Sequence, residues 1–216
     1  MLLSELTFGS FLTYTPRPET SEQKNSKDWM YALKLDRTVP ITPSQLTTHY
    51  LSSVLARDIN ESPIKDILGS SVTLVPMPQS SLPVPGGLWI PQRLTTALVD
   101  LGLGQQASPI LKRIKAIPKS AYSASGERPT AQTKYETLRA DRLLIPPERI
   151  VIIDDIITTG ASMIGAASVL AESFPNAQIS GFAMIRTISN TADFVKLINP
   201  CVGTITRRGD STWREP

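Results

Sequence analysis

The chain has 216 residues, 41% of them hydrophobic, and a formal net charge of +3. That length is enough for one large α/β domain with a continuous core, and no apolar run nears the roughly 18–20 residues that span a bilayer. A single cysteine, Cys201, excludes an internal disulfide, and with the single histidine, His49, it argues against a Cys/His zinc site or a histidine-based triad. The charge suits a protein that handles a small polyanion and is too mild to argue for nucleic acid.

The opening residues lack the basic and long apolar regions of a secretory signal, so the expectation is a cytoplasmic protein with no membrane association. Residues 16–28, "PRPETSEQKNSKD", read as a surface loop closing an N-terminal segment 1–28. "WMYALKLD" (29–36) reads as a strand. Thr42 or Ser44 would cap a helix to about residue 60, with Leu46, Tyr50, Val54 and Leu55 as its apolar face and His49 partly exposed. "SSVTLVPMPQSS" (70–81) is a short strand that must turn at Pro76 and Pro78. "LWIPQRLTTALVDLGLG" is a helix ended by a glycine, and residues 106–114 read as another strand.

From Lys115 to about Gln132 the chain is small, polar and basic, without hydrophobic periodicity, as a functional lid would be. "RIVIIDD" (149–155) is a buried strand, 160–173 a helix, 177–185 a strand, and "VGTIT" (202–206) the last strand. The alternation predicts an α/β fold: a mostly parallel twisted sheet flanked by helices, with a small hood from the chain ends. The core would span 29–190, followed by a strand and tail at 191–216 that could serve as hood.

In such sheets ligands bind beyond the carboxyl ends of the strands. Asp154 and Asp155 end a buried strand there. Solvated turn residues are the plainer reading, but adjacent carboxylates at a buried strand end repel and desolvate each other. The vicinal hydroxyls of a sugar, or a divalent cation, would satisfy them. Thr158, Thr159, Gly160, Ala161 and Ser162 then place successive N–H groups and three hydroxyls at a helix N-terminus, a natural phosphate cradle. Gly160 lets the backbone approach the anion. Acids for hydroxyls beside a nest for phosphate describe a ribose 5-phosphate. No "GK[ST]" occurs, so this is not a Walker A loop.

The run "VIIDDIITTGAS" resembles the phosphoribosyl-diphosphate (PRPP) binding motif of the type I phosphoribosyltransferases. "ALKLD" and "LVPMP", each with a following helix, and the basic loop before the motif resemble the ComF-type, competence-associated branch, over roughly residues 30–190. The resemblance implies that Asp154 and Asp155 bind the ribose hydroxyls and that residues 158–162 bind the 5′-phosphate. Met77, Pro78, Gln79 and Ser80 would lie beside the diphosphate. Mg²⁺ would be held chiefly by the ligand's own oxygens, with Asp154 and Asp155 helping directly or through water. A homodimer is also implied.

The activity implied is Mg²⁺-dependent transfer of ribose 5-phosphate from PRPP to a small nitrogenous acceptor, with release of diphosphate. Asp154, Asp155 and Arg128 are the catalytic candidates, and Lys34, Arg113, Lys119 and Arg128 the cations for the diphosphate. A regulatory or DNA-uptake-associated protein that senses PRPP or a nucleotide without turnover is the alternative. Two departures stand out. The four-cysteine zinc ribbon frequent in ComF-type proteins is missing, and Thr158 stands where hypoxanthine- and guanine-using members carry an acid. A phospho-acceptor receiver domain is excluded, because its acid pair ends the first strand rather than following about 150 residues.

Overall fold

Three apolar runs, "TLVP", "IVII" and "FAMI", form the middle of the sheet. The computed structural model describes residues 1–118 and 129–216. Its strands and helices are, in order, β1 (Glu5–Tyr14), α1 (Ser21–Lys34), β2 (Thr38–Val39), β3 (Gln45–Leu46), α2 (Thr47–Asp58), β4 (Thr73–Pro76), α3 (Ile90–Asp100) and β5 (Gln106–Ala107). They continue with β6 (Leu111–Arg113), α4 (Ala131–Glu136), β7 (Leu138–Ala140), β8 (Arg149–Ile157), α5 (Ala161–Ser173), β9 (Gln178–Thr187), β10 (Ile198–Arg208) and β11 (Ser211–Glu215).

The main sheet has seven strands in the order β11-β10-β1-β9-β8-β4-β5. From β1 to β5 every neighbouring pair is parallel, whereas β10 and β11 extend the β1 edge antiparallel. One face is covered by α1, α2 and α3, which contribute Met30, Leu33, Leu51, Leu55, Leu94 and Leu98 against Val151, Ile153 and Phe182. The other face packs Met163, Ile164 and Leu170 of α5 against Ile150, Ile152 and Ala183, beside the two-stranded β6–β7 sheet. This is the predicted α/β architecture: a mostly parallel sheet with helices on both faces. It aligns the carboxyl ends of β1, β9, β8 and β4 along one rim.

Several expectations are corrected. Residues 29–36 are not a strand, and 16–28 is not all loop, because α1 occupies 21–34. Thr20 and Gln23 form a capping box, with the Thr20 hydroxyl accepting from Gln23 N at 3.2 Å, which starts the helix inside the polar run. The buried positions Gln23, Ser26, Met30 and Leu33 then recur every three or four residues. Residues 106–114 split into β5, which joins the main sheet, and β6, which pairs with β7, with Pro109 between them. The second helix, predicted from Thr42 or Ser44, begins only at Thr47. Asp36 fixes this corner: its nearly inaccessible carboxylate accepts from Thr48 N at 2.9 Å and from Arg93 Nη1 of α3 at 2.6 Å. The last strand expected, 202–206, lies inside β10. Among the described residues no helix is long and apolar enough to cross a membrane.

Candidate functional site

The central strand β8 carries its apolar run up to Ile153 and then presents Asp154 and Asp155 at the rim, both half-buried. Asp155 N donates to Asp154 Oδ1 at 2.9 Å, and Ile156 N donates to Asp155 Oδ1 at 2.9 Å. Burial first, and then the neighbouring Asp155 carboxylate, push the Asp154 carboxyl well above the usual carboxylate range. The pair is thus an electrostatically unfavourable arrangement that a cation or hydroxyl donors would relieve.

The chain leaves β8 through Thr158 and Thr159, both exposed, and enters α5 at Gly160. Gly160 has φ 84°, and among the described residues no side chain caps the helix. The N–H groups of the first turn of α5 are therefore left for an outside acceptor, with the helix dipole behind them. A Cβ on Gly160 would sit 2.7 Å from Cγ1 and Cγ2 of the fully buried Ile205, so glycine is required here by conformation and by space. Ala161 and Ser162 follow, half-buried at the helix start. Thr158 Oγ1 lies 3.2 Å from Thr187 Oγ1, tying the turn to the end of β9.

The turn after β4 lies alongside. Met77 N donates to Ile153 O at 2.8 Å, extending the sheet to the residue before the acid pair. Met77 and Pro78 are buried, Gln79 is exposed and Ser80 half-buried. Trp89 Nε1 donates to Met77 O at 2.8 Å, so this indole packs against the turn rather than standing free to stack on a base. Arg113 on β6 is buried, and its Nε donates to Gln79 O at 3.0 Å while Nη1 donates to Thr137 Oγ1 at 2.7 Å. Burial holds its guanidinium down to about 10.

Of the sequence candidates, the structure brings together Asp154, Asp155, the 158–162 turn, the 77–80 turn and Arg113. Lys34 is exposed in the last turn of α1, two residues before the Asp36 corner. Lys119 and Arg128 lie outside the described residues. Tyr135 donates its hydroxyl to Glu172 on α5 at 2.7 Å, a packing role.

Three cations escaped the sequence reading. Lys134 on α4 is buried beside Arg113 and Asp154; burial, then Arg113, holds its ammonium down to about 8 against the opposing pull of Asp154. Helix α4 reaches this position because α5 has glycine at 165, where a Cβ would meet Lys134 Cβ at 2.8 Å. Arg214 on β11 donates through Nε to Thr158 O at 2.7 Å and through Nη2 to Thr187 O at 2.6 Å. Arg186, on β9, is buried close to it. Only the capping threonine at 130, whose hydroxyl accepts from Thr133 N, marks α4 in the sequence, and nothing local marks the arginines.

A bound Mg²⁺ is compatible with this donor set only as a cation shared with a ligand. Among the described residues no group of three or more His, Cys, Asp or Glu converges to hold a metal alone. The two adjacent carboxylates, one of them strongly disfavoured as an anion, suit an ion that keeps most of its oxygens from water and substrate.

No family model and no curated protein matches the chain. Solved structures similar to it include a hypoxanthine phosphoribosyltransferase from Staphylococcus aureus, 14% identical, covering 69% of this chain and 68% of that one, with a TM-score of 0.31. Another is a Thermus thermophilus protein, 16% identical, covering 68% of this chain and 85% of that one, with a TM-score of 0.30. At such scores neither likeness bears on what this chain does.

Proposed function

We propose that the chain binds PRPP and acts as a phosphoribosyltransferase. The observation that carries this reading is the acid pair at the end of β8, one turn away from the uncapped, glycine-entered start of α5. Asp154 and Asp155 take the ribose 2′- and 3′-hydroxyls, and the amides and hydroxyls of residues 158–162 take the 5′-phosphate. The 77–80 turn, hydrogen-bonded to β8 through Met77 and to Arg113 through Gln79, supports the diphosphate.

In the reaction, a ring nitrogen of the acceptor bonds to C1 of the ribose as the bond from C1 to the diphosphate oxygen breaks and its electron pair leaves with diphosphate. The protein's contribution is positioning and charge stabilisation. Arg113 and Lys134 supply positive charge on the leaving-group side, desolvated and therefore effective. Mg²⁺, with Asp154 and Asp155 as its protein contacts, would neutralise charge on the departing diphosphate. The acid pair also disfavours build-up of negative charge near C1 and so suits a transition state of oxocarbenium character. Thr158 in place of an acid leaves the acceptor outside the hypoxanthine and guanine class. The ComF-type assignment and the homodimer belong to the same proposal, on the sequence resemblance alone.

The test is phosphorus NMR of PRPP with Mg²⁺ and protein, against a panel of nucleobases and small amines. The reading predicts free diphosphate with one acceptor class and its loss in Asp155→Asn. PRPP binding with no release across the panel would instead favour the sensor.

A further inference from the structure

We infer that Arg214 is a positioning residue for the phosphate turn, so that the C-terminal strand β11 sets the affinity of that turn for its anion. The inference rests on the ribose-phosphate reading for the identity of the ligand, but its structural part stands separately. Arg214 grips two main-chain oxygens from different strand ends: Thr158 O, in the turn itself, at 2.7 Å and Thr187 O, at the end of β9, at 2.6 Å. A third donor group, Nη1, meets the Pro216 main-chain oxygen. The guanidinium also lies over the ring of the fully buried Phe8, 5.8 Å from its centroid. Lysine, with one point charge and no fork, cannot reproduce this pair of contacts.

Charge supplies the second half of the argument. Arg186 is buried next to Arg214, donating through Nη1 to Ser10 Oγ at 3.2 Å and to Asn199 O at 2.5 Å. Its Nε is buried and has no hydrogen-bond partner among the described residues. Among the described residues neither guanidinium forms an ion pair with an Asp or Glu side chain. Two neighbouring desolvated cations repel each other and are costly, and an anion close by offsets that cost. The Arg214 fork bonds directly to the turn whose amides open toward such an anion. A phosphate dianion on residues 158–162 would therefore be held by first-turn amides in front and by two guanidinium charges behind. Because Arg214 belongs to the edge strand β11, held in the sheet by β10 alone, ligand binding and docking of β11 must favour each other.

The experiment combines amide hydrogen exchange with PRPP titration on wild type, Arg214→Met and Arg214→Lys. In the unliganded protein, Arg214→Met should speed exchange at residues 159–163, with the helical amides beyond Leu170 unchanged. Its dissociation constant for PRPP should rise about tenfold or more, as loss of two charge-assisted hydrogen bonds implies. Arg214→Lys should recover part of the affinity through its charge and leave the turn loosened. In wild type, PRPP should protect β11 amides as well as the turn, a readout that needs no variant. Protection confined to the turn, or an Arg214→Met protein with unchanged turn exchange, would overturn the inference. Should wild type bind no PRPP while Arg214→Met still loosens the turn, the clamp stands and the ligand reading falls.

Discussion

Gly160→Ala is a stringent test of how the phosphate turn is built. The substitution meets two separate penalties. At φ 84° an L-residue other than glycine costs about 1–2 kcal/mol. The new methyl also lies 2.7 Å from Ile205 Cγ1 and Cγ2 and 2.8 Å from Cδ1, about an ångström inside ordinary carbon contact. Ile205 is fully buried and cannot swing aside, so overpacking adds about 1–3 kcal/mol. The total, about 2–5 kcal/mol, should lower Tm by roughly 5–15 °C in a chain of this size. Urea denaturation measures it, and an Ile205→Ala background separates the terms: Gly160→Ala should cost only the conformational 1–2 kcal/mol there. PRPP affinity should fall in both backgrounds, since the turn must distort. A Gly160→Ala protein that loses less than about 1 kcal/mol and still binds PRPP as wild type does would refute both the geometry and its role.

Asp154→Asn should raise the Tm of the unliganded protein while abolishing PRPP binding. Its carboxyl is pushed up in the fold, so the anion's penalty is fully present above the folded pKa and vanishes below the unfolded value of 3.8. A lower Tm at neutral pH would contradict this. Lys134 has the opposite chemistry. With its folded pKa down at about 8 and the ordinary lysine value at 10.5, the unfolded chain binds more protons between those values, so stability should rise with pH across that window. PRPP affinity should weaken over the same rise, as the ammonium is lost, and Lys134→Met should flatten both profiles in denaturation and titration series. Asp36→Ala strands Thr48 N and Arg93 and forces alanine to the positive φ of Asp36, 45°. Arg93 is half-exposed and discounts the ion pair, which leaves a loss of about 2–4 kcal/mol and a lower urea midpoint. A loss under about 1 kcal/mol would show that this corner does not hold α1, α2 and α3 together.

The sequence displayed most where function is contiguous. The run from Arg149 to Ser173 gave strand, acid pair, turn and helix together, because apolar length, adjacent carboxylates and a glycine at the helix start are local signals. The 77–80 turn was visible through its prolines, and Arg113 through charge alone; its contact with Gln79 O comes from pairing of β6 with β7. Helix α1 was hidden because its first two turns are polar and its start depends on a capping box, while the apolar end "WMYAL" taken alone suits a strand. Strand β1 escaped because a register shift between Ser10 and Leu12 breaks its alternation, leaving Phe11 and Leu12 both buried. Lys134, Arg186 and Arg214 act through contacts between distant segments, Arg214 across 56 residues to Thr158, and no local pattern encodes such a meeting.

The central claim is that the end of β8 and the start of α5 form one ribose-phosphate site, and calorimetric titration of the protein with PRPP and Mg²⁺, beside Asp154→Asn/Asp155→Asn, tests it most directly. Saturable binding by wild type and none by a double variant of undiminished Tm is the predicted result; a folded wild type that takes up no PRPP, or a double variant that binds it equally well, would contradict it.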